Sequence, residues 1–388
     1  MKISGVKIPA GVTITAPTQE PEPTPSGPSK FVVGAANNDD AGSNSGSAYI
    51  YNLDGTGEQK ITASDGASGD NFGQSVAISD THIVVGASRS DDPNDSGSAY
   101  VYNLDGTGEV KITTADAASG DLFGESVAVT DTKVVVGARN NDDVPNNSGS
   151  AYIYNLDGTG EVKLTASDAA GGDEFGESVA VSDTHIVVSA PGDRDSGLSS
   201  GSVYVYNLDG TGEVKITASD GAEYDRFGHS VAINSTKVVV GSVNDDDGGS
   251  NSGSVYVYNL DGTGEQKITA SDAAADDSFG WSVAIQGDKI VVGAFGNDDA
   301  GSTSGSAYVY NLDGTGEVKI TASDGVVNDY FGWSVAIHGD KIIVGASGED
   351  DRGNNSGSVY VYNTDGTGEL KVTASDGAAD DYFGRSVA

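Results

Sequence analysis

The chain has 388 residues, of which 58 are Asp or Glu and 20 are Lys or Arg, so its formal charge is −38 at pH 7. Such a charge repels nucleic-acid phosphates and anionic lipid, and we expect neither nucleic acid nor membrane insertion. The absence of Cys excludes disulfides, thiolate metal sites and a Cys nucleophile. The acidity is either a solvated coat or an attraction for divalent cations and cationic partners.

The N-terminal segment differs in composition from the rest of the chain. It lacks the continuous apolar core of a secretory signal, and no part of the chain approaches the length of a membrane span. Residues 1–16 include an alternating stretch typical of a short strand, and we expect an anchoring arm there. Residues 17–29 are proline-rich, which indicates a semi-extended linker. We expect residues 1–29 to bind a protein assembly partner, and disorder is the alternative.

Residues 30–388 contain seven copies of one repeat with a period of 51 or 52 residues. The string YNLDGTGE, or YNTDGTGE in the last copy, begins at Tyr51, Tyr102, Tyr154, Tyr206, Tyr258, Tyr310 and Tyr362. The pair Phe-Gly recurs with the same step. Each unit predicts four strands, as in FGWSVAI, KIVVGA, SGSAYVYNL and EVKITAS, with the Asp-Gly turn forming a hairpin between the last two.

The two ends of the repeat region predict a closed ring. The last unit stops after its first strand, FGRSVA, and the first unit lacks that strand. The C-terminal strand would therefore complete the N-terminal blade. We predict an all-β fold over residues 30–388, a seven-bladed β-propeller of four-stranded antiparallel blades.

The Phe-Gly that opens strand 1 and the Gly-Ala that ends strand 2 resemble the FG-GAP repeats of integrin α-subunit propellers and their bacterial and viral relatives. Residues 189–192, Ser-Ala-Pro-Gly, come nearest to the full motif. The resemblance implies a seven-bladed propeller. Integrin-type repeats often carry a DxDxDG calcium loop between strands 1 and 2, whereas this chain has short turns such as SDTH and QGDK, so that calcium site is not expected here.

The loops between strands 2 and 3 are variable and share one face with the loops between strands 4 and 1. They carry clustered acids, for which weak calcium binding is one hypothesis and the ordinary composition of tight turns is the other. No cofactor is required by the scaffold. The candidate ligands are Asp39, Asp40, Asp91, Asp92, Asp142, Asp143, Asp298, Asp299, Asp350 and Asp351.

The residue after each Phe-Gly also varies, and all seven should surround the loop-face mouth of the axial channel. They are Gln74, Glu125, Glu177, His229, Trp281, Trp333 and Arg385. Trp and Arg dominate binding hot spots, so this ring is the candidate site for a glycan or protein. The alternative is that Trp281 and Trp333 pack between blades.

We do not expect an enzyme, because the four His show no spacing typical of a catalytic triad. We expect a binding or structural module on a virion or extracellular surface, which presents the loop face to a host glycan or protein and is anchored by its arm. A structural decoration protein and a secreted calcium-binding adhesin are the alternatives.

Overall fold

The computed structural model describes residues 29–90, 95–142 and 146–388. Within these residues the chain forms seven four-stranded antiparallel sheets and no helix. The first strands of all seven sheets line a central channel. The predicted seven-bladed propeller is therefore confirmed. No helix among the described residues is long and apolar enough to cross a membrane.

The strands occupy four equivalent positions from the channel outwards. The innermost are β4 (Phe72–Ile78), β8 (Ser126–Val129), β12 (Val179–Val181), β16 (Phe227–Ile233), β20 (Ser282–Gln286), β24 (Phe331–His338) and β28 (Ser386–Val387). The second are β1 (Lys30–Ala35), β5 (His82–Ala87), β9 (Lys133–Ala138), β13 (His185–Ala190), β17 (Lys237–Ser242), β21 (Lys289–Ala294) and β25 (Lys341–Ala346). The third are β2 (Ser47–Asn52), β6 (Ser98–Asn103), β10 (Ser150–Asn155), β14 (Ser202–Asn207), β18 (Ser254–Asn259), β22 (Ser306–Asn311) and β26 (Ser358–Asn363). The outer strands are β3 (Gln59–Ile61), β7 (Val110–Ile112), β11 (Val162–Leu164), β15 (Val214–Ile216), β19 (Gln266–Ile268), β23 (Val318–Ile320) and β27 (Leu370–Val372).

The second and third strands are buried on both faces because each blade packs between two others. Their Val, Ile, Ala and Tyr side chains, with the Phe of each Phe-Gly, fill the clusters between neighbouring blades. Phe279, for example, is fully buried and meets Tyr308 and Tyr310 edge to face, with ring centroids 5.4 and 6.0 Å apart. The outer strands are only three residues long, shorter than the predicted EVKITAS. Short outer strands leave little exposed edge for pairing with another chain.

A repeated polar seam joins each blade to the next. Tyr308 on β22 donates a hydrogen bond to Asp272 of the preceding blade (3.0 Å), and Lys319 on β23 pairs with the same carboxylate (2.5 Å). The Lys319 ammonium also lies over the Tyr308 ring, 5.4 Å from its centroid. Glu317 in turn accepts a hydrogen bond from the backbone N–H of Ser271 (3.0 Å) in the preceding blade. Tyr, Asp and Lys make these contacts at all seven seams.

The ring closes as predicted. The C-terminal strand β28 pairs antiparallel with β1, and Ala388 exchanges backbone hydrogen bonds with Val32 of 2.8 and 3.0 Å. Phe383, just before β28, is fully buried in the first blade's core. The seam between the last and first blades carries the usual contact, with Tyr49 donating to Asp376 (2.9 Å).

The chain enters the ring on the turn face, opposite the variable loops. The carbonyl of Ser29 accepts a hydrogen bond from the N–H of Leu53 (3.3 Å), which begins one of the repeated turns. The predicted arm, residues 1–16, and all but the last residue of the predicted linker, 17–29, lie outside the described residues.

Candidate functional site

The seven predicted ring residues meet at the loop-face mouth of the channel. They line one cavity of about 250 Å³, together with Arg139 from the end of β9, and each of the seven is half-buried. Going around the ring in blade order, they are Arg385, Gln74, Glu125, Glu177, His229, Trp281 and Trp333. The structure brings the seven residues together at this mouth, and their binding of a ligand stays a prediction.

A bulge in strand 1 aims these side chains at the mouth. In β4, Phe72 pairs with Ala87 and Ser75 pairs with Gly86, so Gly73 and the ring residue between them are unpaired. Gly73 has φ +93°, and a Cβ there would lie 2.3 Å from the carbonyl oxygen of Ser47. Only Gly fits, and the residue after it is turned out of the ladder. The same shift occurs in β16 and β24, beside His229 and Trp333.

One arc of the mouth is aromatic. The Trp281 ring lies 4.8 Å from Trp333 and 4.4 Å from His229, measured between centroids. Phe295 packs against both indoles at 4.5 and 4.9 Å, and Tyr330 lies 5.9 Å from Trp333. Both indoles are only half-buried. The predicted alternative, packing of the Trp rings between blades, thus holds in part, since the rings also face the cavity.

The facing arc is charged. Glu177 bridges two arginines, with Arg226 Nη2 at 2.8 Å and Arg139 Nη1 at 3.3 Å, and His229 Nδ1 lies 3.2 Å from its other oxygen. Arg139 Nε lies 2.8 Å from Glu125. The result is a network of alternating charges along half of the rim.

The two network glutamates have opposite pKa shifts. Burial raises the pKa of Glu125 to about 7, and the nearby Arg139 offsets this only in part. Burial also opposes the ionisation of Glu177, but His229, Arg226 and Arg139 outweigh it and hold the pKa of Glu177 below its ordinary value. Glu177 is therefore a fixed anion, whereas Glu125 changes its charge near neutral pH.

Sequence reasoning missed two further repeat positions that supply residues at or beside the mouth. The residue before each Phe-Gly is left-handed, with φ between 53 and 60°, and a Gly or Asn there would be less strained than most side chains present. These residues are Asn71, Leu122, Glu174, Arg226, Ser278, Tyr330 and Tyr382. The residue after strand 2 supplies Arg139 and Phe295. Variation between repeats at these positions was the available signal.

The predicted calcium ligands have structural partners in the loops. The first acid of each described pair accepts a backbone N–H five residues later at 2.6 to 2.7 Å, as Asp39, Asp142, Asp298 and Asp350 do. The second acid, Asp40, Asp299 or Asp351, pairs with the lysine of its own outer strand. Asp91, Asp92 and Asp143 lie outside the described residues. These contacts show that the acids stabilise the turns and the seams between blades. Calcium binding by the same acids stays a prediction.

Among the residues that the structure describes, three seams gather enough carboxylates to hold a metal ion. In each, three ligand oxygens lie within 4.8 Å of one another, and of the predicted ligands only Asp351 takes part. The groups are Asp168, Asp193 and Asp195; Asp220, Asp245 and Asp247; and Asp324, Glu349 and Asp351. Each also surrounds the ammonium of Lys215, Lys267 or Lys371, at 2.5 to 3.0 Å. A divalent cation would have to displace that lysine.

The opposite end of the channel is a wider cavity of about 360 Å³. It is lined by the short turns between strands 1 and 2, including Asp80, Asp131 and Asp183, and by no Trp, Tyr or Phe of the described residues. One of these carboxylates, Asp131, accepts a hydrogen bond from Thr81 (2.9 Å). The loop-face mouth is thus the chemically richer end.

Comparison with known proteins supports the same assignment of the fold. The family model described as FG-GAP repeat matches residues 56–102, 107–154, 159–206, 211–258, 263–310, 315–362 and 367–388. No curated protein matches the chain. Seven matches in register with seven blades cover most of its length, and the chain belongs to the FG-GAP repeat family.

Proposed function

We propose that the chain is a non-enzymatic recognition module that binds a glycan at the loop-face mouth of its channel. The FG-GAP propeller is consistent with a binding or structural module. The observation that carries the proposal is the convergence of seven variable residues on one cavity, with two half-buried Trp on one side and a charged network on the other. A repetitive scaffold that varies at one equivalent position concentrates its chemical specificity there.

The chemistry of the mouth suits a sugar. Aromatic faces stack on the apolar face of a sugar ring, while amide, carboxylate and guanidinium groups bind its hydroxyls. The cavity of about 250 Å³ lies near the lower end of ligand sites, roughly 300 to 1,000 Å³. It therefore suits a terminal sugar unit better than a broad protein surface, although a protein receptor is the alternative occupant.

We propose display on a virion or an extracellular surface, with attachment through the N-terminal segment. Ser29 lies on the turn face, so an attachment made by residues 1–28 would leave the mouth directed away from the anchoring assembly. A structural decoration protein without a ligand would share this anchoring but would not use the mouth. A calcium-binding adhesin would depend on the acidic seams instead.

Intrinsic fluorescence tests the proposal directly, because the chain's two Trp both lie at the mouth. A panel of immobilised glycans identifies a candidate, and titration of that glycan should change the Trp emission. W281A/W333A should abolish capture, whereas Y224A, which removes an exposed loop-face ring outside the mouth, should not. Capture that survives W281A/W333A at full strength would refute the mouth as the site.

A deletion separates anchoring from recognition. A chain lacking residues 1–28 should fold and bind the glycan, but should no longer join its assembly. If the shortened ring binds no glycan or protein while the full chain still assembles, the decoration role replaces the proposal.

A further inference from the structure

Arginine is concentrated at the mouth of this acidic chain. The chain has six arginines, Arg89, Arg139, Arg194, Arg226, Arg352 and Arg385. Arg139 and Arg385 line the mouth cavity, Arg89 lines a cavity that adjoins it, and Arg226 pairs with Glu177 of the ring. Four of the six thus gather at one end of the channel, on a molecule whose formal charge is −38.

Two of these arginines are neutralised within the network. Arg226 lies 2.8 Å from Glu177 and 3.3 Å from Glu174, and Arg139 lies 2.8 Å from Glu125. Their charges stabilise the rim and need no external partner.

Arg89 and Arg385 differ in that neither forms an ion pair within the described part of the chain. Both line a polar cavity of about 230 Å³ together with the amides of Asn37, Asn71 and Gln74 and with the ion pair of Glu125 and Arg139. Arg385 also lines the mouth cavity beside Trp333, the next residue around the ring. It therefore joins the polar cavity to the aromatic arc.

Arg89 and Arg385 share this cavity with one carboxylate, Glu125, which already pairs with Arg139 at 2.8 Å. Burial lowers the pKa of Arg385 and the charge of Arg89 lowers it further, while Tyr382 and Glu125 offset these effects only in part. If these arginines had no ligand to bind, pairing with one of the chain's many acidic side chains would be more favourable than leaving them without an ion pair. The arrangement instead leaves two fork-shaped donors and several amide donors for an anion.

We propose that Arg89 and Arg385 bind the acidic group, a carboxylate or a sulfate, of a sugar whose ring stacks on the aromatic arc of the mouth. This inference rests on the proposed glycan binding and names its ligand class as acidic sugars. Arginine suits both groups because its planar donors match two oxygens at once. The fixed anion of the rim, Glu177, is the third ring residue after Arg385 and is held by Arg139 and Arg226.

The experiment compares oligosaccharides that end in a uronic acid, a sialic acid, a sulfated hexose or the corresponding neutral hexose, measured on the full chain by Trp fluorescence and calorimetry. We expect the acidic forms to bind about tenfold tighter or better, as charged hydrogen bonds imply. Their affinity should fall with added salt, whereas that of the neutral form should not. The carboxylated and sulfated arms identify which acidic group is preferred.

Variants test the residues. R89Q/R385Q should lower the affinity for the acidic sugars much more than that for the neutral hexose and so remove the preference, while R352Q, at an exposed outer loop, should change neither affinity. Melting curves must show that all variants remain folded. Equal binding of acidic and neutral sugars by the unaltered chain, or an equal loss of both in R89Q/R385Q, overturns the inference and leaves glycan binding intact. Binding of no sugar in the panel overturns both proposals.

Discussion

Replacing one seam carboxylate by its amide, D245N, should stabilise the protein at neutral pH. Asp245 is buried and belongs to the group that surrounds Lys267 with Asp220 and Asp247. Three blades carry an amide at the equivalent position. In one of them, Asn141 Nδ2 donates to a buried carboxylate at 3.1 Å.

The magnitude follows from the charges around Asp245. At an effective dielectric constant of about 20, each like-charge pair up to 4.8 Å apart repels by about 3.5 kcal/mol or more, and the Lys267 contact at 2.8 Å attracts by about 6 kcal/mol. The two repulsions, from Asp220 and Asp247, therefore already exceed the attraction. Asp225 adds further repulsion, since the Asp245 charge contributes to raising its pKa, after burial. We expect D245N to gain about 1 to 2 kcal/mol.

The gain should depend on pH in a defined direction. The pKa of Asp225 is raised in the folded protein, so its contribution to stability is present below the unfolded pKa and is lost as pH rises through the folded value. D245N brings that pKa back towards its ordinary value. The stability difference between D245N and the unaltered chain should therefore be larger at pH 8 than at pH 4, measured by urea unfolding.

A reciprocal variant and a calcium series complete the test. N297D, at the equivalent amide position, should destabilise by a similar amount at pH 8. If the lysine fills the acidic group, calcium should stabilise the unaltered chain and D245N equally. A D245N protein that is less stable at pH 8, or a calcium stabilisation that D245N abolishes, would refute the electrostatic reasoning and favour a metal site.

Two further predictions concern the closure of the ring and the mouth. Deleting residues 383–388 should lower the free energy of unfolding more than F331A in an inner blade does. The deletion removes an equivalent buried Phe, worth about 3 to 5 kcal/mol, and also strand pairing worth about 1 kcal/mol per hydrogen bond. Equal urea midpoints for the two variants would contradict closure by β28. E125Q should reduce the loss of stability between pH 5 and pH 8. The pKa of Glu125 is raised to about 7 in the folded protein, so its ionisation in this pH range costs up to about 3 kcal/mol of stability, and Gln cannot ionise. An unchanged pH slope would show that Arg139 already compensates for the charge.

The fold was predictable because the same pattern of strands and turns occurs in seven copies. The hairpin turn is an example: Gly55 and Gly57 have φ of +76 and +73°, as the Asp-Gly string implies. Strand lengths were less predictable. In the fourth blade Ser189 takes a position that is Gly in most blades, where a Cβ added at Gly293 would lie 2.0 Å from a carbonyl oxygen. The neighbouring strand β12 is only three residues long.

The position of the ring residues was also predictable, but their electrostatics were not. The sequence indicates seven side chains at one mouth, yet the pairing of Arg226 with Glu177 joins residues 49 positions apart. The ion pairs of the acidic loops were unpredictable for the same reason, because the sequence does not show which lysine lies beside each acid. The lysines that neutralise them, such as Lys319 beside Asp299, sit on outer strands whose side-chain direction depends on how blades pack.

The separation of core and mouth explains how one ring can carry an asymmetric site. Each Phe of Phe-Gly is buried between blades, whereas the residue two positions later projects from a bulge into the channel mouth. We therefore expect substitution at the ring position to leave the blade core unchanged, since Gln74, His229 and Trp281 each follow a glycine with φ between +91 and +96°. Because the ring is closed, all seven positions face one another across a single cavity. Changes in a few of these side chains can then alter ligand specificity without loss of the fold.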